Sequence, residues 1–209
     1  LNNGDATFAN KVDYPTGPDM LTPSEYMSPM SVAAPDVNGD GKPDLAIANT
    51  LFYASQWNAN VSVLLNNGDG TFADKVDYPT GHENSTSITA ADLNGDGRPD
   101  LAVTDGGNGN MNGAVARSPA GEASLTQMAA ERMFPKGIAV DDTYAYWTEE
   151  EAGGHVYRCP VAGTYCDNPE DIAPASGPLG SPTDIRIAGG RIYWANVDDG
   201  TILSCPQPG

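Results

Sequence analysis

Apolar residues in this chain come in short runs of β type, separated by stretches rich in Asn, Asp and Gly. Leu45-Ala-Ile-Ala48, Val61-Ser-Val-Leu-Leu65 and Leu101-Ala-Val-Thr104 are such runs, and each stands beside a turn sequence. An Asn-Gly pair between hydrophobic strands signals a tight hairpin, so Asn2-Asn-Gly-Asp5 and Asn66-Asn-Gly-Asp69 read as hairpin turns. No run approaches the ~18 apolar residues that a membrane span requires. The least strand-like stretch is Arg117–Arg132, with its Ala, Glu, Gln and Met residues, which is compatible with a short helix. We read it as an outer strand plus connector, because its Arg117-Ser-Pro-Ala-Gly121 start matches two later segments.

Much of this pattern is repeated. Leu1–Gly17 recurs almost letter for letter as Leu65–Gly81, an offset of 64 residues. Asp36-Val-Asn-Gly-Asp-Gly-Lys-Pro-Asp44 recurs as Asp92-Leu-Asn-Gly-Asp-Gly-Arg-Pro-Asp100, an offset of 56, so eight extra residues lie in the stretch Pro18–Pro35. From residue 113 the text changes. Gly113–Gly121, Gly154–Gly163 and Gly200–Gly209 align with one another, and Phe134–Glu149 aligns with Ser181–Asn196. Matched points there are 41 to 47 residues apart (Pro119 to Pro160, Trp147 to Trp194). Periods of this size mark stacked supersecondary units such as propeller blades.

The two acidic nonapeptides carry the clearest candidate chemistry. Each places oxygen-bearing side chains at positions 1, 3, 5 and 9: Asp36, Asn38, Asp40 and Asp44 in one, Asp92, Asn94, Asp96 and Asp100 in the other. Lys42 and Arg98, at position 7, would add a backbone carbonyl while their side chains point into solvent. Calcium takes six to eight oxygens at about 2.3–2.6 Å, and a short loop supplies them only through a sharp turn. The alternative is an Asx-rich turn that binds nothing. Two copies in phase favour the metal reading. The glutamate an EF-hand has at position 12 is missing, since Ile47 and Val103 stand there, and β-type runs follow both loops.

These loops, with the L-L-N-N-G-D-G-T-F hairpin and the K-V-D-Y-P-T-G tail, resemble the FG-GAP/VCBS repeats of β-propellers over residues 1–112. That resemblance implies propeller blades with calcium held between strands at two sites. The I-A-V-D, Y-W-T-E and G-H-V-Y-R sequences of residues 113–209 resemble YWTD and NHL-like blades. Together they imply an all-β fold: a single β-propeller over 1–209 of about four antiparallel four-stranded blades. Strands from 1–17 are expected to complete the sheet begun by 182–209; the alternative is assembly of chains through open blade edges.

Composition narrows the function. The formal charge is −18, with only 10 basic residues and no basic cluster, which argues against nucleic acid and anionic membranes as partners. No leader is visible, and the chain begins at Leu1 as a processed or trimmed product would. Of three cysteines, Cys159 and Cys166 flank a short turn and are expected to bond, placing the protein in an oxidising, extracellular compartment. Cys205 aligns with Cys159, and its counterpart partner would fall near residue 212, a hint of truncation; the alternatives are an intermolecular bridge and a simple buried thiol. Asn60-Val-Ser62 and Asn84-Ser-Thr86 match the N-glycosylation pattern.

No catalytic constellation is legible. His82 and His155 are the only histidines, and neither an H-E-x-x-H nor a G-x-S-x-G sequence occurs. Tyr146-Trp147 and Tyr193-Trp194 stand at equivalent strand positions, which favours packing between blades over sugar stacking. Tyr53 and Trp57, in a polar stretch read as a loop, are the candidate ligand contacts. The chain therefore reads as a secreted, calcium-binding, non-catalytic module for binding, adhesion or structure, lectin-like roles included. Its partners would be a glycan or an extracellular protein. The alternative is an extracellular propeller enzyme or accessory domain, of hydrolase or lyase type, acting on polysaccharide.

Overall fold

Each apolar run forms one strand, and the turn sequences between runs close the strands into antiparallel meanders. The computed structural model describes residues 12–16, 26–53, 56–81, 83–107, 113–118, 125–150, 153–163, 165–173 and 180–208, with backbone alone for 26, 51–53 and 56–58. The first sheet holds β1 (Tyr26–Ala33), β2 (Leu45–Tyr53), β3 (Gln56–Leu64) and β4 (Val76–Pro79). The second holds β5 (Ser85–Ala91), β6 (Asp100–Asp105), β7 (Gly113–Ser118) and β8 (Thr126–Arg132). The third holds β9 (Pro135–Val140), β10 (Tyr144–Glu149), β11 (His155–Pro160) and β12 (Glu170–Asp171). The last holds β13 (Pro182–Ala188), β14 (Arg191–Asn196) and β15 (Thr201–Pro206).

This is an all-β, propeller-like arrangement of four antiparallel sheets, with no helix among the described residues. Within Arg117–Arg132, Arg117 and Ser118 end β7 and Thr126–Arg132 is β8, strand where the composition is helix-like, while residues 119–124 lie outside the described residues. The second sheet reaches Arg132, and the change of sequence pattern near residue 113 falls inside it, between β6 and β7. Of the segment expected to complete the last sheet, residues 1–11 and 17 lie outside the described residues, as does the extra stretch at 18–25. Val12–Thr16 is described, and its Tyr14 rests on the first sheet, where the hydroxyl donates to the Gly70 carbonyl at 3.2 Å.

Burial makes the sheets stack. First strands lie nearest one another: β1 packs on β5, β5 on β9, and β9 on β13. Three apolar layers fill the gaps. Ala46, Ala48, Val61 and Val63 meet Ile88, Leu101 and Val103 between the first two sheets. Ala102, Val115, Met128 and Ala129 meet Ile138, Ala145 and Trp147 in the next layer. Ala139, Tyr146 and Val156 meet Ile185, Ile192 and Trp194 in the third. Trp147 and Trp194 are thus core residues, in keeping with a packing role.

Polar ties cross each gap where strand backbones would otherwise lose partners. Thr50 donates to the Asn84 side-chain oxygen at 2.8 Å and to the Ser85 carbonyl. Thr86 donates to the Pro135 carbonyl at 2.8 Å, and Thr148 to the Thr183 carbonyl at 2.7 Å. The third and last sheets approach closely at Gly137, where a Cβ would stand 2.3 Å from the Thr183 carbonyl oxygen. The Cys159–Cys166 disulfide closes the turn after β11, and that turn grips the second sheet. Arg117 donates to the Val161 and Gly163 carbonyls at 2.6 Å each, and the Cys166 N–H donates to Met128. Cys205 is a free thiol, and the apolar layer around it pushes its pKa up.

One ion pair is buried across a gap. Arg132, at the end of β8, places Nε 2.7 Å from Glu149 Oε1 on β10, and Glu149 is fully buried. The Trp147 indole N–H donates to the same oxygen at 2.7 Å, and the Met133 N–H donates to the other. Arg132 also lies over the Tyr157 ring, 4.9 Å from its centre. Burial raises the Glu149 pKa above the ordinary carboxylate value even though these donors oppose it.

Two outcomes follow for stability. Gly137→Ala should cost about 1–3 kcal/mol, because the backbone at Thr183 must move, and a thermal melt reads it directly. Arg132→Met should cost about 3–5 kcal/mol near neutral pH by leaving a buried carboxylate without its cation. A buried acid with a raised pKa takes up protons in the folded state. Stability therefore falls as pH rises through the window between unfolded and folded values, and the Arg132→Met deficit should shrink as pH is lowered.

Candidate functional site

The two acidic loops are the β1–β2 and β5–β6 connections, so the repeat places them at the same end of adjacent sheets. They are neighbours in space: a Cβ on Gly39 of the first loop would stand 4.0 Å from Arg98 Nε of the second. Both loops turn through left-handed glycines, with φ near +80° at Gly39, Gly41, Gly95 and Gly97, a region that side chains other than glycine rarely enter.

Within the first loop, Asp36 accepts from the Asp40 N–H at 3.0 Å and the Gly41 N–H at 2.7 Å. Asn38 accepts from the Asp40 N–H at 2.9 Å, and Asp40 from the Lys42 N–H at 3.0 Å. Asp44 is buried; it accepts from Val37 N–H at 3.0 Å and from Asn66 N–H at 2.8 Å. It thereby fastens the loop's start to the Asn66–Phe72 hairpin. The second loop repeats the scheme. Asp92 accepts from Gly95, Asp96 and Gly97, Asn94 from Asp96, and Asp96 from Arg98, while buried Asp100 accepts from Leu93 at 2.9 Å. The Gly97 amide, helped by those of Gly95 and Asp96, outweighs desolvation and holds the Asp92 carboxyl below its ordinary range.

These are hard, oxygen-only donor sets of three carboxylates and one amide per loop, and their chemistry fits a cation such as calcium. A carboxylate has about four lone-pair positions, so an oxygen that accepts one N–H retains capacity for a metal. The candidate ligands of the first site are Asp36, Asn38, Asp40, Asp44 and the Lys42 carbonyl. Those of the second are Asp92, Asn94, Asp96, Asp100 and the Arg98 carbonyl. As placed, the side chains turn onto their own loop backbones, and among the described residues no three His, Cys, Asp or Glu side chains converge on one point. Lys42 departs from the expectation of a solvent-directed side chain. Its ammonium sits 3.3 Å from Asp40, and its stem lies over Gly68 of the hairpin, where a Cβ would stand 2.8 Å from Lys42 Cε.

Asn66–Asp69 is a hairpin turn, with Asn66 bridged to Phe72 and Asp69 accepting from Thr71. The matching turn at 2–5 lies outside the described residues, as does His82. Tyr53 and Trp57 do not occupy a loop. The β2–β3 ladder runs to its tip, pairing Phe52 with Trp57 and Tyr53 with Gln56, because backbone pairing continues past the apolar run. Their side chains lie outside the described residues. Both glycosylation-pattern asparagines are engaged in the fold: Asn60 accepts from Asn49, and Asn84 from Thr50. A polar pair not singled out from the sequence joins β11 to β12: His155 Nδ1 lies 2.7 Å from Asp171, and its ring stacks on Tyr157. Only the strand register brings those residues together.

Comparison with known proteins places the acidic loops in a family context. The model described as FG-GAP repeat matches residues 28–64, and that described as FG-GAP-like repeat matches residues 48–103. The sequence matches none of the curated proteins. Among solved structures, the chain is similar to the crystal structure of the computationally designed Ika4 protein. That likeness has a TM-score of 0.56 at 10% identity and covers 95% of this chain and 99% of the other, so it speaks for fold alone. Residues 28–103, which hold both acidic loops, carry FG-GAP repeats.

Proposed function

We propose that this chain is a secreted, calcium-stabilised β-propeller that serves as a non-catalytic binding or adhesion module. The observation that carries the reading is the pair of acidic loops. Two copies of one oxygen-donor pattern stand side by side on adjacent sheets, within the residues that carry FG-GAP repeats. Three carboxylates on nine residues repel one another, and a divalent cation relieves that repulsion where Lys42 and Arg98 offset only part of it. Calcium fits better than magnesium, which demands tighter octahedral geometry. The Cys159–Cys166 bond supports an oxidising compartment, and the −18 charge supports solubility there. Residues 113–209 continue the same propeller with blades of the YWTD/NHL kind. The partner is a glycan or an extracellular protein, and the β2–β3 tip bearing Tyr53 and Trp57, at the end opposite the acidic loops, is the candidate contact.

With extracellular-type dissociation constants of roughly 0.1–1 mM and about 2 mM calcium, each site should add about 0.6–1.8 kcal/mol. A chelator should therefore lower the melting temperature, and Asp40→Ala or Asp96→Ala should each remove part of the calcium-dependent increment. Asp44→Ala should lower stability even in chelator, because that carboxylate also ties Val37 to Asn66. Melting curves identical with and without chelator would overturn the calcium reading. For the binding role, a glycan array and a panel of extracellular proteins should give saturable binding without turnover of polysaccharide substrates. Turnover that survives purification would favour the enzyme instead.

A further inference from the structure

The three internal gaps repeat one design, and the two end sheets each carry half of it. On third strands, Val61, Val115, Val156 and Ile202 are equivalent by register, pairing with Ala48, Thr104, Thr148 and Ala195. The three valines are at most 1% exposed, because the following sheet covers them, whereas Ile202 is 69% exposed. On first strands, Val32, Ile88, Ile138 and Ile185 are equivalent, pairing with Ile47, Val103, Trp147 and Trp194. The three isoleucines are at most 5% exposed beneath the preceding sheet, whereas Val32 is 61% exposed. One end therefore presents the face that a following sheet covers, and the other the face that a preceding sheet covers. Among the described residues, β13 does not make with β1 the packing that joins the other first strands.

The segment Val12–Thr16 shows what the first sheet is shaped to receive. Its sequence repeats at 76–80, where Val76–Pro79 is the outermost strand β4 and Tyr78, opposite Val61, packs on the layer against the second sheet. Tyr14 takes the same position one sheet earlier. It lies on the first sheet, meeting Phe72 edge-on at 5.1 Å, in the place of a fourth strand from a sheet that precedes it. The last sheet has three strands among the described residues, and the repeat register sets Tyr14 opposite Ile202. Between Tyr14 and the sheet runs an apolar groove of about 340 Å³ lined by Thr16, Val32, Leu45, Ile47 and Leu64.

We infer that the groove receives the Ile202-bearing face of a second copy of this chain, with Val12–Thr16 pairing along that copy's β15. The contact is head-to-tail, and such contacts build closed rings when the rotation closes. Two copies of four sheets give a ring at the upper end of the usual four to eight blades. Closure at two copies covers both exposed faces and leaves no sheet without a neighbour. The −18 charge on each chain opposes association at low salt, and at ~0.15 M salt the screening length falls to about 8 Å, which weakens that repulsion.

The test is the solution mass of the full chain, measured by light scattering in calcium-containing buffer at that ionic strength. Twice the 21.8 kDa chain mass is expected. Ile202→Asp and Val32→Asp alter side chains that are already exposed, so each variant should keep the strand circular dichroism of the parent while losing the dimer. Ile202→Val should retain it. A monomeric parent chain overturns the inference. So does a dimer lost in Ile202→Asp but kept in Val32→Asp, which would mean a face-to-face contact, and so does a dimer indifferent to both.

Discussion

The two middle sheets of this protein are apolar and buried on both faces, and that double burial governs nearly everything else about it. A sheet with one wet face can stand against a single neighbour, but a sheet with two dry faces must be sandwiched. Stacking is the solution, and first strands come close enough at Gly137 that no side chain fits between backbones. Such proximity removes water from polar groups at the gaps, so threonine hydroxyls on one sheet answer carbonyls on the next. The Glu149–Arg132 pair is the same device with charge: it links two sheets at a place where Glu149 cannot reach bulk solvent and Arg132 is only partly exposed.

The acidic loops sit outside this packed interior, yet they depend on it. Asp44 and Asp100 are the last residues of their loops, and both are buried where the following strand begins. Each holds the first turn of its loop by accepting a backbone N–H seven residues earlier. The more accessible members, Asp36, Asn38 and Asp40, are then arranged by the loop's own amides. An anionic turn that is already organised by the backbone loses less conformational freedom when it takes a cation, which is the advantage of preorganisation.

Legibility from the sequence followed the range of the interaction. Local signals were read well. The apolar runs became strands, Asn66–Asp69 became a hairpin turn, and the short Cys159–Cys166 spacing became a bond. The match of Arg117–Gly121 to later segments rightly outweighed its helix-like composition. What escaped depends on partners distant in sequence or on backbone alone. The β2–β3 ladder extends through Tyr53 and Trp57 because the register set by the first strand pairs carries on to Tyr53 and Gln56. Lys42 lies on Gly68 because the loop and the hairpin meet only after folding. Glu149 and Arg132, like His155 and Asp171, are ordinary charged residues in the sequence until the register joins them.

The boundary between the two repeat patterns runs through the second sheet, with β6 on one side and β7 on the other. Strands from the two sequence patterns therefore share one ladder, in which Leu101 faces Ser118 and Asp105 faces Ala114. Ladder hydrogen bonds are made by the main chain and do not depend on which pattern the side chains follow. Severing the chain at this join would strand two half-sheets, each with an unpaired edge prone to aggregation. The sequence boundary is thus a poor place to divide the protein. The smallest piece that keeps every ladder whole must end in a turn between sheets, such as the connection from β4 to β5 or from β8 to β9.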